Sequence, residues 1–174
     1  MKKINFLIIM IVSMIINSCT KENEDMRLSD FSIPTINGYY GRDGQGSPLG
    51  RMGIPNTKSY DGIDYYSSTF RFSFIPNPVR TLCTVFVEAP VSKEIKKLWI
   101  TPAIWNNQVT DEWTDLNTTH NIVVGGFPVY QTEFTSDHLM LDLSILPEGY
   151  YRIYLKVNDC LLYDNLVIYK FQIN

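Results

Sequence analysis

Tyr150-Tyr151-Arg152-Ile153-Tyr154-Leu155-Lys156-Val157-Asn158 alternates without a break. Tyr151, Ile153, Leu155 and Val157 fall on one side, and Arg152, Tyr154 and Lys156 on the other. Successive side chains of an extended chain point to opposite faces, so this pattern predicts a strand with one buried face. Pro147-Glu148-Gly149 precedes it, with proline suited to the second position of a β-turn and glycine to the fourth.

The same period recurs through the second half of the chain. Phe70, Phe72 and Phe74 alternate with Arg71 and Ser73, and Val85 and Val87 with Thr84, Phe86 and Glu88. Near the end, Val167, Tyr169, Phe171 and Ile173 alternate with Ile168, Lys170 and Gln172. Shorter candidates are Lys97 to Thr101, Asn121 to Val124, Val129 to Phe134 and Leu139 to Leu143, separated by Gly125-Gly126 and Thr135-Ser136-Asp137. No segment carries a 3.6-residue period over ten residues. Roughly eight short strands with turn signals between them predict an all-β protein, an antiparallel sandwich or barrel. Pro76-Asn77-Pro78 should interrupt strand pairing, because proline has no N–H to donate and biases its predecessor to extended geometry.

The part before Phe70 reads differently. Gly38 to Gly62 contains seven glycines and two prolines, with only weak alternation after Tyr60. It is expected to be an irregular stretch, 38–62, and a place to look for a ligand. A second irregular insert is expected over 102–130.

The amino terminus carries an address. Lys2 and Lys3 precede a largely apolar run of thirteen residues, Ile4 to Ile16, too short for a comfortable membrane span. Ile16, Ser18 and Cys19 then resemble the lipobox of bacterial lipoproteins, in which the cysteine thiol receives a diacylglycerol and the freed amine an acyl chain. That resemblance implies a signal peptide over 1–18 and lipid attachment at Cys19. Two or three acyl chains hold a protein firmly to a bilayer. Thr20-Lys21-Glu22-Asn23-Glu24-Asp25 follows as a polar, acidic tether within 19–31, and resembles the signal that sends Bacteroidetes lipoproteins to the cell surface. The expected location is the outer membrane, facing outward.

Without residues 1–18 the chain has 156 residues, enough for one domain, expected over 32–174. Its charge is then 13 Lys+Arg against 18 Asp+Glu, which excludes the basic face that nucleic acid requires.

Residues 70–174 also resemble the immunoglobulin-like sorting domain at the end of type IX secretion cargo in Bacteroidetes. The matching pieces are the strand running into Pro76-Asn77-Pro78, the strand Leu82 to Val87, Leu141-Asp142-Leu143-Ser144 with Leu146-Pro147-Glu148-Gly149-Tyr150-Tyr151, and a last strand carrying Lys170. The resemblance implies an immunoglobulin-like antiparallel β-sandwich of about seven to eight strands. Sorted cargo places this module behind a large effector domain and an ordinary signal peptide, whereas here a lipobox precedes it. The fold is therefore carried over, and the sorting role is a lesser alternative.

Catalytic signals are weak. His120 and His138, with Glu133 and Asp137, match no metal-ligand spacing, and no Gly-x-Ser-x-Gly elbow occurs. Gly44-Gln45-Gly46-Ser47-Pro48-Leu49-Gly50 lacks the spacing and context of a dinucleotide loop, and Asp43 and Asp61 lack that of a calcium loop. Asp111, Glu112 and Asp115 supply the one carboxylate cluster that a glycoside hydrolase reading could use. Cys83 and Cys160 are left as a disulfide or as two thiols, since an oxidising envelope permits the bond and spacing does not decide it.

No catalytic residue, metal or cofactor is assigned. The remaining signal is aromatic: Tyr39, Tyr40, Tyr65, Tyr66, Trp105 and Trp113 in apparently irregular segments, with Tyr60 beside them. Such rings can stack on a sugar or anchor a protein partner. The expected function is a non-catalytic binding or structural-interaction module, with a glycan-binding protein of a polysaccharide-uptake system as the alternative. Its expected partners are the membrane, an envelope complex or a glycan.

Overall fold

The structure, a computed structural model, describes residues 33–91, 93–106 and 127–170. Cys19 and the tether, Asp111, Glu112, Trp113, Asp115, His120, the strand expected over Asn121 to Val124, and residues 171–174 lie outside the described residues.

Among the described residues eleven strands follow one another: β1 (Thr35–Ile36), β2 (Gly38–Arg42), β3 (Pro48–Gly53), β4 (Arg71–Ile75), β5 (Leu82–Glu88), β6 (Lys96–Pro102), β7 (Ile104–Trp105), β8 (Tyr130–Phe134), β9 (His138–Asp142), β10 (Gly149–Val157) and β11 (Cys160–Ile168). Seven of them build a sandwich. One sheet has the order β4-β5-β9 and the other β11-β10-β6-β8, every pairing antiparallel. Their inner faces share one core, with Phe72, Phe74, Val85, Val87 and Leu141 meeting Leu98, Ile100, Ile153, Leu155 and Leu162.

The chain changes sheet between β5 and β6, between β8 and β9, and between β9 and β10, so all three connections bridge the two layers. This three-on-four arrangement is an immunoglobulin-like sandwich. It carries the tyrosine corner of that architecture: Tyr151, at the start of β10, donates its hydroxyl to the Pro147 carbonyl at 2.8 Å.

Three expectations about strands need correction. β10 does not keep the wet face that its alternation predicts, since Arg152 and Tyr154 are buried along with Ile153 and Leu155. The last described strand is Cys160–Ile168, not the run begun at Val167. Alternation hid it because both of its faces are covered, so Tyr163 and Asn165 on one side are as buried as Leu162 and Leu166 on the other. The stretch 38–62 is not irregular throughout, since β2 and β3 form a hairpin over 38–53. Its glycines are there for contact and backbone geometry. A Cβ on Gly53 would sit 2.2 Å from the Asn37 carbonyl oxygen, and one on Gly38 would sit 2.3 Å from that of Met52. Gly53 also holds φ +67°, a region that disfavours any other residue.

This hairpin, with residues 54–60, closes the open edge of β11. Lys58 and Tyr163 exchange both backbone hydrogen bonds at 2.7 and 2.8 Å, and Val79 accepts from Tyr169 and donates to Val167. Between those two points the Asn77 side chain acts as a substitute peptide group. Its amide donates to the Asn165 carbonyl (3.0 Å) and the Tyr40 carbonyl (2.9 Å), and its oxygen accepts from the Val167 N–H (3.0 Å). Pro76-Asn77-Pro78 therefore stops β4 and also supplies the group that finishes the neighbouring sheet. An edge closed in this way is not available for unwanted strand pairing.

A buried polar cluster underlies the hairpin. Asp164 projects from β11, fully buried, and pairs with the Arg42 guanidinium at 3.0 Å, which also lies 5.4 Å over the Phe74 ring at the seam between the sheets. Arg152 donates to Asn165 Oδ1 and to the Thr35 carbonyl, both at 3.1 Å, while Asn165 donates to the Gly38 carbonyl at 2.6 Å. Burial pushes Asp164 above the ordinary carboxylate range, with Arg42 opposing it. Burial likewise lowers Arg152.

Candidate functional site

The strand order gives the sandwich two distinct ends. The chain enters beside Ile104, where β6 finishes and β10 begins: Ile104 donates its N–H to the Pro34 carbonyl, and Ala103 donates to that of Tyr150. The opposite end holds the β10–β11 turn at Asn158-Asp159, the start of β6 and the segment 61–69 leading into β4. These are called the entry end and the far end.

Of the six aromatic residues expected to bind ligand, Trp113 lies outside the described residues and the other five are not brought together. Tyr39 and Trp105 meet at the entry end, their ring centroids 6.4 Å apart edge to face, and Trp105 stacks on Tyr150 at 5.0 Å. Tyr150 was missed as a partner because it opens a strand that reads as regular. Burial and the neighbouring Tyr150 raise the pKa of Tyr39. Amide side chains adjoin this array: Asn106 donates to Asn37 Oδ1 at 3.2 Å, and Asn56 accepts from the Asn37 N–H at 3.0 Å. Tyr40 is separate, exposed on the hairpin with the Arg42 guanidinium 5.9 Å from its ring.

Tyr65 and Tyr66 lie at the far end with Tyr60, in edge-to-face contacts at 6.0 and 5.7 Å. Their loop is held by short polar side chains. Asp61 Oδ1 accepts from the Phe70 N–H at 2.7 Å, and Asp64 Oδ1 accepts from that of Tyr66 at 2.7 Å. Ser67 donates to Asp64 Oδ2, Ser68 to the Asp64 carbonyl, and Arg71 to the Tyr65 carbonyl. The N–H of Tyr66 and the Ser67 hydroxyl hold the Asp64 carboxyl below its usual range.

Arg71 also stacks over the Tyr65 ring at 5.0 Å and pairs with Glu88. The result is a braced loop with an apolar tip. Ile63 is 101% exposed and Tyr66 89%. Asx and Ser turns are legible in Asp61-Gly62-Ile63-Asp64-Tyr65-Tyr66-Ser67-Ser68, and they were the available signal for this loop.

The two described cysteines are buried thiols, and no disulfide joins Cys83 to Cys160. Topology forbids one. Val79 pairs with Ile168, eight residues along β11 from Cys160, about 26 Å at strand rise. Cys83 is only four residues from Val79, at most about 14 Å of chain. The gap that remains exceeds disulfide reach. Burial pushes the Cys83 thiol up to about 12.

Gly44 to Gly50 turns out to be the β2–β3 turn and the start of β3. Asp43 Oδ1 accepts from the N–H groups of Gln45 and Ser47, both at 2.8 Å, and these bonds keep its carboxyl below the usual range. His138 opens β9, exposed and opposite Phe86. Among the described residues no three of His, Cys, Asp and Glu converge as metal ligands.

No family model matches the chain, and no curated protein matches it. A solved structure to which it is similar is that of a DUF3244 family protein with an immunoglobulin-like β-sandwich fold from Bacteroides vulgatus. That likeness has a TM-score of 0.39 and 12% identity, and it covers 65% of this chain and 97% of the other.

Proposed function

We propose that the chain is a membrane-anchored surface lipoprotein whose sandwich is a non-catalytic module for binding an envelope protein, with the 61–69 loop as its contact surface. The supporting observation is the combination of bracing and exposure in that loop. Six hydrogen bonds from Asp61, Asp64, Ser67, Ser68 and Arg71 fix a tip on which Ile63 and Tyr66 face solvent. A pre-ordered aromatic and aliphatic pair loses little entropy on binding, which is the usual character of an interface anchor. The Cys83 thiol supports the non-catalytic reading, because a buried cysteine with a raised pKa is an inert one.

The test is photo-crosslinking in intact cells from position 66 and, as a control, from exposed Met140 on β9. A specific adduct from position 66 that disappears with Ile63→Ser supports the proposal. Identical adducts from both positions, or none from 66, would remove it.

The Trp105 array favours a second reading, glycan binding. Stacked rings flanked by the amides of Asn37, Asn56 and Asn106 combine an apolar platform with hydrogen-bonding groups suited to a sugar. Tryptophan emission titrated against a panel of polysaccharides decides it. A saturable shift lost in Trp105→Ala supports the platform, and no response to any glycan dismisses it.

A further inference from the structure

Exposed apolar side chains gather at the entry end. Ile33, Ile104, Phe127, Ile145, Tyr150 and Tyr169 are all large, hydrophobic and solvent-facing, with Ile145 at 78% and Phe127 at 71%. The backbone places them together. Tyr169 donates to the Val79 carbonyl just past the β10–β11 register at Gly149 and Ile168. Val129, two residues after Phe127, donates to the Ile100 carbonyl near the finish of β6. Ile145 sits in the turn between β9 and β10. Half-buried Trp105 lies among them, stacked on Tyr150.

The chain leading to Cys19 departs from this same end. Fourteen residue steps separate Cys19 from Ile33, at most about 50 Å when fully extended. The far end is displaced by a further nine-residue strand, about 30 Å. A lipid anchor at Cys19 therefore keeps the entry end within easy reach of the bilayer, while the far end can point away from it.

Tyrosine and tryptophan, with an apolar body and a polar tip, are suited to the headgroup boundary, and aliphatic side chains beside them gain from burial there. We infer that the entry end seats on the surface of the bilayer that holds the acyl chains, so that the sandwich stands upright with its 61–69 loop outward. This inference rests on the lipoprotein reading and adds an orientation to it.

The test uses the mature acylated protein, extracted from membranes and reconstituted into vesicles of phosphatidylcholine and phosphatidylglycerol. A nitroxide is attached through Ile145→Cys in one sample and Tyr66→Cys in another. The buried native thiols do not compete for the label. Flotation of each sample reports anchoring separately. Ile104→Cys replaces the first variant if Ile145→Cys unfolds.

The expected result is a several-fold loss of collisions with a water-soluble nickel complex at position 145, retained oxygen collisions there, and no change at position 66. Protein that floats but leaves position 145 as open to nickel as position 66 overturns the seating and leaves the anchor intact. Protein that neither floats nor carries acyl chains removes the anchor and the seating with it. Protection at 145 that persists without vesicles assigns that end to a second copy of the chain and also overturns the inference.

Discussion

Replacing Asn77 with alanine should be among the most damaging single changes in the molecule, although Asn77 sits between two prolines in a segment that reads as a turn. The side chain makes three hydrogen bonds, to the Asn165 and Tyr40 carbonyls and from the Val167 N–H, and the residue is fully buried. Truncation leaves two buried partners and one half-buried partner unsatisfied. Each such group costs about 1–3 kcal/mol, and allowing for water at the half-buried one gives a total near 3 kcal/mol.

Urea unfolding followed by tryptophan emission measures it. With a slope of about 2 kcal/mol per molar, the midpoint should fall by about 1.5 M. Asn77→Asp separates hydrogen bonding from shape, because it keeps an acceptor for Val167 and loses both donors. It should be at least as destabilised as the alanine variant. A midpoint shift below about 0.3 M for Asn77→Ala, inside the usual range for a harmless surface change, would refute the idea that this amide closes the sheet edge.

Further outcomes follow from the same geometry. Arg42→Gln should cost about 3–5 kcal/mol near neutral pH, because it leaves the buried Asp164 without its charge partner. The folded pKa of Asp164 is already raised, so its contribution is most favourable where it is protonated and is lost as pH rises through the folded value. Without Arg42 that pKa rises further, and the deficit of the variant should shrink as the pH is lowered; a deficit independent of pH counts against the pairing. Tyr151→Phe removes the hydroxyl bond to the Pro147 carbonyl and should lower stability by about 1 kcal/mol in the same urea assay, whereas no change would mean that the corner is incidental. Cys83 and Cys160 should resist a thiol reagent until the protein unfolds and then both react, and recovery of a linked Cys83–Cys160 peptide would contradict their placement.

Strands that keep one wet face were legible in the sequence, and so was β10, because its second face, though buried at Arg152 and Tyr154, still carries polar-tipped residues that keep the alternation visible. β4, β5, β8 and β9 lie at or near sheet surfaces, and their alternation matches their burial closely, as in Cys83, Val85 and Val87 against exposed Leu82, Phe86 and Glu88. β11 was not legible because the hairpin and residues 54–60 cover its second face. Asp164 and Asn165, of residue types common in turns, are buried polar groups with partners more than one hundred residues earlier. Period-2 reasoning has no access to partners that distant.

The glycine-rich stretch misled for a related reason. Glycine suggests a loop, yet Gly38 and Gly53 face each other across a hairpin where a Cβ would collide with backbone. For the candidate site, residue types were legible and their grouping was not. Tyr39 and Tyr40 are adjacent in sequence, but neighbouring residues of a strand point to opposite faces, so one joins Trp105 and the other Arg42.

The account depends most on the fate of Cys19, because both the outward far end and the seated entry end assume an anchor there. Intact-mass spectrometry of the protein purified from membranes tests this directly. The expected species begins at Cys19 and carries a diacylglyceryl group with its additional acyl chain. A mature chain with an unmodified Cys19, or one still retaining residues 1–18, would contradict it.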